Sequence, residues 1–181
     1  MGRYYFMLMV FAGLHLFPNS MTEVIDQRVL IDFGAKVNPL IQAGEVWRLL
    51  TSTFIHIGII HLIFNLYALW TLGSLTEESL GHRRFLIVYI LSGLGGSIAS
   101  FLFSPALSAG ASGAIFGLLG ELLNYSYKRP ALWKSGLGMN LMVVILVNLG
   151  FGFVQPGIDN FAHLGGLITG TITCVLQSKK S

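Results

Sequence analysis

The sequence predicts an all-α membrane protein, a bundle of six transmembrane helices. Three observations predict it. The chain of 181 residues is 54% hydrophobic and 10% charged, with a mean hydropathy of +0.71, whereas soluble domains carry roughly 25% charged residues. Its apolar residues fall into six runs, each with the length or the context of a bilayer-crossing helix of about 20 residues. No run alternates with the period of two that a barrel strand requires, so helix is the spanning form that satisfies the backbone in lipid.

The first run is Tyr4–Phe17. It is short for a span, which leaves its N-terminal boundary open. Arg3 before it suggests a signal peptide as the alternative, but no small-x-small cleavage site follows; "FPNSMTEV" is a poor substitute. His15 near its outer end reads as interfacial. A loop of about 19–50 comes next, long for a structureless connection. It mixes Phe33, Leu40, Ile41, Val46 and Trp47 with charges. It is expected to be external, partly helical and interfacial, with Trp47 and Arg48 at headgroup level.

The remaining runs are Thr51–Gly73, Phe85–Phe103, Ser112–Tyr127, Leu137–Phe153 and Phe161–Leu176. Gly is abundant at 22 residues, and small residues let membrane helices approach closely. The chain reads as one membrane domain over 1–181. Lys and Arg set its orientation. With the N-terminus inside, Arg3, Arg83, Arg84, Lys128, Arg129, Lys134, Lys179 and Lys180 are cytoplasmic, and Arg28, Lys36 and Arg48 are external. Eight against three favours both termini inside. The pI near 9.2 then reflects topology and does not point to nucleic acid. The lone Cys174 forms no intrachain disulfide and belongs to no metal-type cluster.

Polar residues inside a membrane are costly and usually functional. Here they are His56, His61, Asn65, Ser112, Glu121, Asn148 and His163. Ser112 lies at the outer start of the fourth run. Unpaired backbone N–H groups and a partial positive charge gather there, the ingredients of an oxyanion site. A plain Ser N-cap is the alternative. His163 lies at the same depth on the sixth run. Gly113 and Gly117 follow the serine, and Gly166 and Gly170 follow the histidine. Two such small faces pack helices closely, which would place a hydroxyl beside an imidazole, the minimal activated nucleophile.

His61 and Asn65, four apart, share a helix face, and both can donate to an oxyanion formed at Ser112. A helix–helix hydrogen bond is the alternative. His56 and His61, five apart on one helix, diverge by about 140° and so do not converge on a metal. Glu121 lies about 13 Å below Ser112, too far to act on it. It is expected to reach toward Lys128 and Arg129 or to be held neutral. Asn148 reads as a packing residue. Asp159, in the turn-rich "VQPGIDN", is expected to be solvated and of little electrostatic help to His163.

Taken together, "EVWRLLTSTFIH" at Glu45–His56, "HLIFN" at His61–Asn65, "GASGAIFG" at Gly110–Gly117 and "AHLGGLITG" at Ala162–Gly170 resemble the rhomboid intramembrane serine proteases. The resemblance covers nearly the whole chain. It implies a six-helix rhomboid-like bundle, with Ser112 as nucleophile and His163 as general base and acid. It implies an oxyanion hole from the Ser112 N–H, His61 and Asn65, with help from the Gly110 region. Phe116 matches an aromatic position that packs on the catalytic imidazole, Trp47–Arg48 a first-loop signature, and Val154–Asn160 the loop that caps the site. No cofactor or metal is implied. The expected partners are transmembrane protein substrates and the lipid bilayer, with the site opening to the external side of the cell membrane. Two rivals are a catalytically dead relative, which usually lacks the Ser or the His, and a small transporter, which would show broken helices in an inverted repeat.

Overall fold

The computed structural model describes residues 26–178. The expected first span at 4–17, with His15, lies outside the described residues. Within them the protein is all helical, apart from one isolated bridge between Lys36 and Ser108.

Three short helices form the first loop: α1 (Gln27–Asp32), α2 (Asn38–Gln42) and α3 (Arg48–Thr51). Asp26 starts α1 by accepting from the Arg28 N–H at 2.7 Å, and Pro39 sits in the first turn of α2, where its missing N–H costs nothing. A 3₁₀ turn, Ser52–Phe54, follows α3 directly. The second run does not begin at Thr51 as its hydropathy suggests. Residues 51–54 are tied into the loop region: Thr51 donates to the Gly34 carbonyl at 2.8 Å, the Ser52 and Ser97 hydroxyls are 3.1 Å apart, and the Gly110 N–H donates to the Ser52 carbonyl at 2.9 Å. The spanning helix begins only at α4 (Ile59–Ala68). It passes through a π turn, Leu69–Gly73, and ends as α5 (Ser74–Leu80). The polar tail after Gly73 stays helical to Leu80.

Gly81 then turns the chain with φ +85°, a conformation that favours glycine. The long α6 (His82–Phe103) returns across the bundle. Next come α7 (Ser112–Tyr127), the short α8 (Pro130–Lys134), α9 (Leu137–Val154) and α10 (Asn160–Ser178). Ile59–Leu80, His82–Phe103 and Leu137–Val154 are each long and apolar enough to cross a membrane.

Helix α7 is the axis of the molecule, buried without a break from Gly113 to Leu122. Its Ala114, Ile115 and Leu118 form one apolar cluster with Leu69, Phe85, Val88 and Tyr89. By contrast α9 buries only Gly138, Leu141 and Ile145 and turns Val143, Leu146, Val147 and Phe151 outward. Asn148 is on that outer face, bonded only to its own helix at the Val144 carbonyl. Apolar side chains facing outward are what lipid accepts and water does not.

Glycines bring α6, α7 and α10 into backbone contact. A Cβ added at Gly166 would run into the Gly113 carbonyl, and one at Gly170 into that of Gly117. The α6 helix joins this contact: a Cβ at Gly96 would meet the Ala162 carbonyl oxygen at 2.7 Å and Gly113 Cα at 3.2 Å. The two small faces expected on α7 and α10 are thus part of a three-helix contact.

Candidate active site

Ser112 is the first residue of α7, and Ala111 is its N-cap; no side chain caps this helix end. The plain N-cap reading of Ser112 is therefore incorrect, and its hydroxyl is not engaged in capping. The chain reaches Ser112 through Gly110 at φ +145°. A Cβ there would press into the His61 ring, 2.7 Å from Cε1 and 3.1 Å from Nε2. Glycine at 110 therefore does two things. It permits the turn, and it lets the His61 imidazole lie against the backbone two residues before Ser112.

His163 is the fourth residue of α10, 8% exposed, and its N–H donates to the Asp159 carbonyl at 3.2 Å. The Phe116 ring stacks on the imidazole with centroids 4.2 Å apart and planes at 9°. Phe116 is four residues after Ser112, so both lie on one face of α7. Stacking on Phe116 therefore brings His163 over the first turn of α7, where the serine is. The small-residue contact below fixes the separation of the two helices.

Asp159 is not the solvated loop residue expected from its turn-rich surroundings. One carboxylate oxygen accepts the Ala162 N–H at 3.0 Å and the other accepts the Ser100 hydroxyl. Both oxygens are engaged, and neither holds the imidazole: His163 Nδ1 is buried without a hydrogen-bond partner.

The two polar residues of "HLIFN" lie on one helix and have different surroundings. His61 lies beside Gly110, as above. Asn65 is buried, and its Nδ2 donates to the His61 carbonyl at 2.8 Å, while Oδ1 has no partner. One of the two amide hydrogens is thus engaged within the helix and the other is free for a ligand. The expected divergence of His56 from His61 fails. Residues 55–58 are not helical, and this link folds the two rings to 5.4 Å, edge to face. Both His56 ring nitrogens are buried without partners.

Trp47 and Arg48 do not share one environment. Trp47 remains half exposed, with the Arg48 guanidinium 4.6 Å from its ring centroid. Arg48 is buried, paired with Glu45 at 2.6 Å and donating to the carbonyls of Ile31 and Ala35 at 2.5 and 3.2 Å. It is turned into the loop, which it ties together from inside. The partner of Glu121 is on α6. Glu121 is fully buried and pairs with Arg84 at 2.6 Å.

Comparison with known proteins agrees with the motifs. The family model "Rhomboid domain" matches residues 43–180. The chain is 54% identical over 141 residues to "Rhomboid protease GluP" of Bacillus subtilis (strain 168), covering 78% of this chain and 28% of that protein. It is 41% identical over 134 residues to "RHOMBOID-like protein 6, mitochondrial" of Arabidopsis thaliana, covering 72% of this chain and 43% of that one. With "RHOMBOID-like protein 1" of the same plant it shares 37% over 173 residues, 94% of this chain and 42% of that one. The chain thus spans less than half the length of each of these relatives.

Proposed function

The chain belongs to the rhomboid family, and we propose that it is an intramembrane serine endopeptidase cutting peptide bonds in or near transmembrane segments with a Ser112–His163 dyad. The observation that carries this reading is the parallel stack of His163 on Phe116, one turn from an uncapping serine. In the reaction the Ser112 hydroxyl oxygen attacks the scissile carbonyl carbon while His163 takes its proton. The tetrahedral oxyanion is held by the Ser112 N–H and by the side chains of His61 and Asn65, in the Gly110 region. His163 then gives the proton to the leaving amine as the C–N bond breaks. Water, activated by the same imidazole, hydrolyses the acyl-enzyme.

The substrates are transmembrane proteins whose helix unwinds at the cleavage point, since a helical peptide bond is shielded by its own turn. The domain is a six-helix bundle in the cell membrane with both termini cytoplasmic and the site opening outward. The buried state of Lys36 and Arg48 supports this orientation, because two of the three cations placed outside are then internal loop ties.

A fluorophosphonate that labels the wild-type protein, and fails to label Ser112→Ala, is the expected result. A labelled protein that cleaves no transmembrane reporter would leave a reactive serine without proteolysis and sink the proposal. Cysteine accessibility scanning in a Cys174→Ala background tests the orientation; external labelling of Ser181→Cys in intact cells would reverse it.

A further inference from the structure

Two charged side chains lie beside the proposed dyad without belonging to it. Lys36 is fully buried, and its ammonium donates to the carbonyls of Ser104 at 2.8 Å and Ala106 at 2.7 Å. Asn38 adds bonds from Nδ2 to the carbonyls of Phe101 at 3.0 Å and Ser104 at 3.1 Å. These carbonyls belong to the end of α6 and the chain just beyond it. The last turn of a helix leaves carbonyls unpaired and carries partial negative charge, so a buried cation is matched to that place. Burial pulls the Lys36 ammonium below its usual pKa, and the charge of Asp159 opposes that shift. The Lys36 backbone also pairs with Ser108 in both directions, at 2.9 and 3.1 Å. Ser108 is four residues before Ser112.

Asp159 plays the complementary part at the start of α10. It accepts from the Ala162 N–H, at the positive end of the helix that carries His163, and from Ser100 in the last turn of α6. The end of α6 therefore holds both limbs of the site: the loop that delivers Ser112, through Lys36 and Asn38, and the helix that delivers His163, through Ser100 and Asp159.

We propose that Lys36 and Asp159 are positioning residues that clamp these two limbs to the end of α6 and so set the spacing of Ser112 and His163. The proposal rests on the reading of those two residues as the dyad. Neither clamp residue touches the reacting atoms. Asp159 acts through hydrogen-bond geometry, not through its charge on the imidazole. Asparagine caps a helix as well as aspartate. Its Oδ1 can accept from Ala162 while its Nδ2 donates to Ser100.

The test is steady-state cleavage of one transmembrane reporter by the purified wild type, Asp159→Ala, Asp159→Asn, Ser100→Ala and Lys36→Met, with thermal unfolding of each. A misplacement of about 1 Å can cost on the order of 10²-fold in rate. Asp159→Ala and Lys36→Met are therefore expected to lose roughly 10- to 10²-fold in kcat with KM nearly unchanged. Asp159→Asn should stay close to wild type, and Ser100→Ala should fall between. Equal losses in Asp159→Asn and Asp159→Ala would overturn the clamp in favour of a charge effect on His163. Wild-type kcat in Asp159→Ala would overturn it outright. If Lys36→Met does not fold, Asn38→Ala reads the same limb, and an unchanged kcat there overturns the Lys36 half. A wild type that neither labels with fluorophosphonate nor cleaves would instead defeat the protease reading.

Discussion

The Phe116 ring lies flat on the His163 imidazole, 4.2 Å between centroids and 9° from parallel. Among the described residues no carboxylate is hydrogen-bonded to that imidazole: its Nδ1 has no partner, and both Asp159 oxygens are engaged elsewhere. In a Ser-His-Asp triad the acid fixes the ring's orientation; under the proposed dyad an aromatic face would do so without charge. Phe116→Ala is therefore expected to lower kcat by about 10-fold or more, since the ring is freed to turn away from Ser112. Phe116→Tyr should retain most activity, and Ser112→Ala and His163→Ala should abolish it. Cleavage of one reporter by the four variants decides. A Phe116→Ala enzyme that stays folded with wild-type kcat would show that the stack does not orient the base.

His61 and Asn65 are the side chains of the proposed oxyanion hole. His61 packs against Gly110, and Asn65 keeps one amide hydrogen free. His61→Ala and Asn65→Ala should each lower kcat by about 10 to 10³-fold, the range for loss of one such donor, with a smaller effect on KM. Gly110→Ala should resemble His61→Ala, because its Cβ would displace the His61 ring and strain a backbone at φ +145°. Normal turnover in both His61→Ala and Asn65→Ala would return the pair to helix packing.

The small faces are held more tightly than their sequence spacing alone implies. A single methyl at Gly166 or Gly170 would overlap a backbone carbonyl of α7, and backbone cannot swing aside as a side chain can. Gly166→Ala and Gly170→Ala are thus expected to disable the enzyme, as would the larger Gly170→Leu, by moving α10 away from α7. Full activity in Gly170→Ala would show that this contact does not set the distance between Ser112 and His163.

Features that depend on local spacing were legible in the sequence. Ser112, His163 and their glycines recur at helical intervals, and four of the apolar runs coincide with helices to within three residues. Features that depend on long-range polar pairing were not. Hydropathy runs on through residues 51–58, yet hydrogen bonds to Gly34, Ser97 and Gly110 hold the first half of that stretch outside the spanning helix. That same break brings His56 to His61, against a helical-wheel argument that assumed one continuous helix. Lys36 and Arg48 read only as external loop charges because their carbonyl partners lie 13 to 70 residues away. The third small face, on α6, went unseen because "SGLGGS" offers glycines at several spacings and no polar residue marks which of them pack.

The last prediction concerns the buried charge in the second half of α7. Glu121 is fully buried, and Arg84, on the first turn of α6, donates to it through Nε at 2.7 Å while Nη2 lies 2.6 Å from the same oxygen. The guanidinium also reaches Cys174 on α10, 3.4 Å from Sγ. One ion pair therefore ties the three central helices together in the half of α7 away from Ser112. Removing one partner of such a pair strands the other charge in an apolar interior, at about 3–5 kcal/mol, whereas replacing both with apolar side chains is often neutral. Glu121→Ala should therefore lower the Tm of the purified protein markedly. The double variant Glu121→Leu with Arg84→Met should recover much of the loss. Because Glu121 is about 13 Å along the helix from Ser112, the folded fraction of each variant should label with fluorophosphonate at the wild-type rate. Thermal unfolding beside labelling kinetics separates the two effects. An unchanged Tm in Glu121→Ala would mean that the pair contributes nothing to the bundle. A slowed labelling rate at full folding would mean that the pair reaches the active site, and that α7 transmits strain along its length.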